Sequence, residues 1–281
     1  MSTFIKWNKA IWFGIGWFLA FVMLQTVYMV FALVFKCITD TEYLYSLQQL
    51  FLIANSSSDD GALMQLYIDI IGGLTFYIEL FLTIGLFGLF VIDREIHESR
   101  FSFNKIKISS LPIFITLGIL MNILSTCFVS LFSSETLTST GYNTDVLLQG
   151  SMLGILLSVG VLAPLCEELA FRYFMFHNLN RASGVLAIVL SSILFGFAHG
   201  NIIQGMYAFT FGIVFVMINM KCNSIWPGVI MHVTINSMSV FLLLFDTMQS
   251  QIIVMALMLI ISLIPTLAII INKSIKQEEI L

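Results

Sequence analysis

Apolar residues run through this chain in long blocks separated by short polar segments. Eight spans stand out, at about 10–35, 63–92, 109–132, 150–176, 184–200, 203–220, 225–246 and 250–272. A helix needs about 20 residues to cross the ~30 Å hydrocarbon core of a bilayer. A barrel would instead alternate inward and outward residues along short strands. The pattern predicts an all-α, polytopic transmembrane helical bundle of about eight transmembrane helices, forming a single integral membrane domain over 1–281. The fourth span is long enough to project or tilt. The link at 201–204 is so short that the fifth and sixth spans must form a tight hairpin or a bent pair. The longest polar loop, 36–62, carries the apolar patches Tyr43-Leu44-Tyr45 and Leu50-Phe51-Leu52, which suit a short helix in the interface.

Composition agrees. The 281 residues are 59% hydrophobic and 10% charged, against about 25% charged in a soluble domain, and the mean hydropathy is +0.99. That balance excludes a water-soluble globular enzyme and a disordered chain. The net charge of -4, without a basic stripe, argues against nucleic acid as a partner. Cys37, Cys127, Cys166 and Cys222 form no CxxC pair, so neither a zinc knuckle nor a redox dithiol is indicated. The N-terminal apolar run is too long for a signal-peptide core and reads as a retained helix.

Loop charge sets the orientation. With eight spans both termini share a side, and Lys6, Lys9, Arg94, Arg100, Lys105, Lys107, Arg181, Lys221, Lys273 and Lys276 all fall on it. The opposite loops carry Asp40, Glu42, Asp59, Asp60, Glu135, Asp145 and Asp246. Basic loops mark the cytoplasm, so both termini are expected there.

Ionisable groups inside the spans are expensive and therefore informative. Asp69 and Glu79 lie in the second span without an assignable role; a carboxyl paired across helices or protonated in place is the simpler reading of Glu79. The second half is richer. Glu168 and Arg172 stand four residues apart in the fourth span and can pair on one helix face, while Glu167, turned about 100° from Glu168, points elsewhere. One carboxylate is thus neutralised and one left available. Pro164, just upstream, predicts a kink or a helix start. The fifth span ends in Phe195-Gly196-Phe197-Ala198-His199-Gly200, whose small residues permit close helix approach. The seventh opens at Trp226-Pro227-Gly228 and places His232 and Asn236 on one face.

Taken singly, each feature has a structural explanation: an intramembrane His or Asn commonly bonds neighbouring helices, a Glu–Arg pair commonly braces one, and glycines pack. Three such features within one apolar region point instead to a common site. A carboxylate with an imidazole can deprotonate water, and an imidazole and an amide can stabilise an oxyanion. Glu167, His199 and His232 are also the residue types that zinc accepts, with water as fourth ligand, although no HExxH is present. A divalent metal such as zinc is therefore a candidate cofactor.

Glu167-Glu168-x-x-x-Arg172, Phe195-x-x-x-His199 and His232-x-x-x-Asn236, in this order on successive spans, resemble the three motifs of the CAAX protease and bacteriocin-processing family of intramembrane proteases, over about residues 150–245. The resemblance implies that Glu167 and His199 activate water, that His232 and Asn236 stabilise the oxyanion, and that Glu168 and Arg172 support them. It makes 150–245 the catalytic core and leaves the helices of 1–149 unassigned. It implies an endopeptidase acting on a peptide or membrane-protein substrate, in peptide maturation, surface-protein processing or bacteriocin self-immunity. The compact loops look like those of a bacterial member, in the plasma membrane. Two other readings compete. A non-catalytic immunity or scaffold protein on the same fold would be free to lose one of the four polar residues, and all are present. A small transporter would use Asp69 and Glu79, but no inverted repeat supports it. The pair Gly72-Gly73 marks a close helix contact, within the chain or between subunits.

Overall fold

The computed structural model describes residues 3–56, 60–96, 104–132, 151–245 and 247–278. Within them the chain forms nine helices: α1 (Thr3–Thr39), α2 (Thr41–Ser56), α3 (Asp60–Ile96), α4 (Leu111–Val129), α5 (Met152–Asn180), α6 (Gly184–Ala198), α7 (Ile202–Cys222), α8 (Trp226–Leu242) and α9 (Met248–Glu278). Every apolar span is a helix, and α2 is the helix expected in the 36–62 loop. Its exposed Tyr45, Phe51 and Leu52 give it an apolar outer face. Asp69, Gly72, Gly73 and His97, and the loop charges Asp59, Asp60, Arg94, Arg100, Glu135, Asp145, Asp246, Lys273 and Lys276, lie outside the residues or side chains described.

Six helices, α1, α3, α4, α5, α7 and α9, contain stretches long and apolar enough to span a bilayer. Helices α6 and α8 have 15 and 17 residues, roughly 22 and 25 Å at 1.5 Å per residue. These two short helices carry the motif histidines, so His199 ends a helix that stops short of a full crossing.

Local chemistry explains the boundaries. The α6–α7 hairpin is closed by three residues. His199 caps the end of α6, Gly200 turns with φ 64°, and the Asn201 side chain accepts from the Gln204 amide at 2.9 Å to start α7. Gly200 therefore serves the left-handed turn, not the close approach expected of it, since nothing would lie within 4 Å of a Cβ there. Close approach belongs to Gly196 and Gly205, where an added Cβ would sit 2.7 and 2.9 Å from the other's carbonyl oxygen. Pro227 occupies the first turn of α8, where its missing N–H costs nothing.

Helix α5 is one continuous rod with two wide, π-helical stretches, Leu156–Leu162 and Glu168–Phe176, on either side of Pro164. Pro164 therefore neither ends the helix nor breaks it sharply; the ladder widens around it. Among the described residues the largest apolar cluster joins α1, α3, α5, α6, α7 and α8, and a second joins α4, α7 and α8. Interhelical polar bonds register the second half: Asn122 on α4 donates to the Ile235 carbonyl and to Ser239 Oγ of α8, at 3.0 and 2.7 Å. At the other end of α1, the Asp40 carboxylate accepts from Lys36 at 2.8 Å and caps α2 through the Tyr43 amide at 3.0 Å.

Gly205→Ala should destabilise the folded protein by about 1–3 kcal/mol, read as a lower unfolding temperature in detergent, because the methyl meets backbone and not a flexible side chain. The Lys36 ammonium holds the Asp40 carboxyl below its usual range, so its contribution is full above the unfolded pKa and is lost as pH falls through the folded one. Hydrogen-exchange protection at the start of α2, taken relative to the intrinsic rate at each pH, should fall on acidification in the native chain and show no such pH step in Asp40→Asn.

Candidate active site

Glu167 and Glu168 sit where α5 passes from α-helical into π-helical geometry. Adjacent positions on a helix point in different directions, and the two carboxylates meet different surroundings. Glu168 is wholly buried, with Oε2 at 3.4 Å from Arg172 Nε on the same helix face. Arg172 is 1% exposed and lays its guanidinium over the Phe195 ring, 4.1 Å from the centroid, with Phe215 at 5.6 Å. Two aromatic faces thus stand in for part of the water this cation has lost. Glu167 keeps 23% of its side chain exposed. The two carboxylates thus part: Glu168 faces Arg172, and Glu167 turns away from it.

His232 lies between the two. Its Nδ1 is 3.3 Å from Glu168 Oε1 and its Nε2 is 3.7 Å from Glu167 Oε2. An ionised carboxylate only accepts, so Nδ1 carries the hydrogen and Nε2 faces Glu167. The imidazole is held edge-on to Phe195 at 5.7 Å and nearly parallel to Phe215, at 5.3 Å and 30°. An unbroken line therefore runs from Arg172 through Glu168 and His232 to Glu167.

His199 does not join Glu167 directly. Its Nδ1 is 2.9 Å from the Phe195 carbonyl, one turn back on its own helix. A carbonyl only accepts, so in the neutral ring Nε2 keeps its lone pair, the chemistry of a base or a ligand. Its ring stands edge-on to Phe195 at 5.0 Å, so Phe195 separates the two histidines. Asn236 donates through Nδ2 to the Val159 carbonyl at 3.0 Å. Among the described residues no three His, Cys, Asp or Glu side chains gather around one point that could hold a metal ion. The expected zinc set of Glu167, His199 and His232 does not converge in this geometry.

The site also takes in residues that the sequence did not assign to it: Glu79 stood without a role, and Asn219 and Phe215 carried no signal. Glu79 lies within electrostatic reach of Glu167, and the turn that bears it packs on Cys166: Thr83 Oγ1 is 2.9 Å from Cys166 Sγ, and the Glu79 carbonyl 4.0 Å. Helix α3 thereby delivers an acidic residue to the site from the half of the chain without motifs. Asn219 of α7 accepts from the Gly228 amide at 2.7 Å. A Cβ on Gly228 would stand 2.6 Å from Asn219 Nδ2 and 2.9 Å from Glu168 Oε2. The glycine opening α8 is therefore what allows Glu168 and Asn219 to close over it. Phe215 is one phenylalanine among 26, and only its position across from His232 distinguishes it.

Arg172→Met leaves Glu168 buried without its cation and should cost about 3–5 kcal/mol. The loss should be seen as a fall in folded protein that Glu168→Gln in the same chain partly restores.

Compared with known families, residues 149–238 match the model described as Rce1-like, type II CAAX prenyl endopeptidase Rce1-like. No curated protein and no solved structure matches the chain.

Proposed function

We propose that this chain, whose residues 149–238 match the Rce1-like model of type II CAAX prenyl endopeptidases, is an intramembrane endopeptidase in which Glu167 activates the water that attacks the peptide carbonyl. The observation that carries the reading is the contrast between the two glutamates. Glu168 is sealed against Arg172, while Glu167 keeps 23% of its side chain exposed, and its Oε2, buried and outside any hydrogen bond, faces an imidazole at 3.7 Å. A base must reach its proton, and only Glu167 of the two can.

Glu167 takes a proton from the attacking water as oxygen bonds to the carbonyl carbon. His232 Nε2 receives that proton and returns it to the departing amine. Glu168 orients the ring through Nδ1 and stabilises the transient imidazolium, with Arg172 beside its other oxygen. His199, with its free Nε2 lone pair on the other side of Phe195, is a second base on the substrate side. Each proton step uses side chains of this chain, and none is routed through a metal. The substrate is a peptide or membrane protein that reaches the site from the bilayer, and the basic loops put both termini in the cytoplasm.

Glu167→Gln should lower cleavage of a reporter peptide in membranes by about 10²–10⁴-fold with folded protein undiminished. Unchanged cleavage would sink the mechanism. Cleavage by the purified enzyme should persist in a strong chelator, and metal-dependent loss and recovery would put the zinc reading back in its place.

A further inference from the structure

The motif places Asn236 at the reacting carbonyl, but its amide is engaged elsewhere, and the reason lies one helix away. Pro164 has no N–H. In the wide stretch that precedes it, Ala163 N–H donates five residues back, to the Ser158 carbonyl. In that register the donor missing at 164 belongs to Val159, and in ordinary α register it belongs to Gly160. These are the two carbonyls that α8 serves: Asn236 Nδ2 donates to Val159 O at 3.0 Å and Ser237 Oγ to Gly160 O at 3.2 Å. In an apolar surrounding an unserved carbonyl is costly. Gly160 also lets α8 come close, since a Cβ there would lie 2.9 Å from Ser237 Oγ. Three residues after Pro164, the same helix presents Glu167, whose partner His232 is one turn before Asn236 on α8.

We infer that Asn236 is a positioning residue: its amide replaces the backbone donor that Pro164 lacks, and so sets α5 against α8 at the distance that brings Glu167 to His232. The inference rests on the protease reading above. It differs from a role at the oxyanion in a checkable way, because it makes Asn236 necessary only while residue 164 is proline.

The experiment is a double-mutant cycle on the full-length enzyme in membranes or detergent, with cleavage of a reporter peptide and unfolding temperature measured for each variant. Asn236→Ala should lower kcat roughly 10–100-fold, as misplacement of a reacting group does, with KM little changed. Pro164→Ala restores an N–H facing Val159 and should keep most of the activity. The double variant should recover most of what Asn236→Ala lost, and Asn236→Ala should destabilise the native chain far more than it destabilises the Pro164→Ala variant. If the double variant stays as slow as Asn236→Ala, the amide acts on the substrate and the inference is overturned. If Pro164→Ala proves inactive by itself, the stability cycle decides, and additive losses overturn the inference. Failure of the wild-type enzyme to cleave any peptide would instead remove the protease reading, and the stability cycle would still test the bond between the helices.

Discussion

The constraint on which the site depends is a charge placed where there is no water. Glu168 and Arg172 are both sealed inside the bundle, and removing either leaves the other uncompensated in an apolar medium. Their pairing needs the four-residue spacing on α5. It also needs the faces of Phe195 and Phe215, brought by α6 and α7, which take up the guanidinium. The pair therefore ties three helices together before any chemistry is considered. Glu168 then has one oxygen left for His232 of α8, so a fourth helix is registered by the same buried charge. The orientation of the imidazole is a consequence of how the ion pair was made tolerable.

The second constraint is backbone hydrogen bonding. A membrane helix must satisfy its own amides and carbonyls, and α5 departs from that self-sufficiency along both π-helical stretches. Neighbouring side chains take up the difference: Asn236 and Ser237 of α8 at Val159 and Gly160, and Trp17 of α1 at the Ala170 carbonyl, 2.9 Å away. Irregular geometry in the helix that bears both glutamates is thus stabilised from two sides. The N-terminal half, which carries none of the motifs, contributes Trp17 through α1 and the turn of Glu79 and Thr83 through α3. It is a wall of the site and not only an anchor in the bilayer.

Much of this was legible in the amino-acid sequence. Long apolar runs determined a helical membrane bundle, because no other backbone arrangement of such residues satisfies its own polar groups in lipid. The spacing of Glu168 and Arg172 determined their pairing and left Glu167 as the available carboxylate, because helix geometry is local. The ordered motifs pointed to the family that residues 149–238 match. What only the tertiary structure decided is which groups from different helices meet. Glu167 faces His232, while His199 bonds the carbonyl of its own helix behind Phe195. Glu79, Asn219 and Phe215 enter the site, and the amide of Asn236 serves the carbonyl left by a proline 72 residues earlier in the chain. Spacing along one helix follows from a fixed rise and turn. Meetings between helices depend on tilt, depth and the close approaches that glycines such as Gly160, Gly196 and Gly228 permit, and no local pattern encodes those.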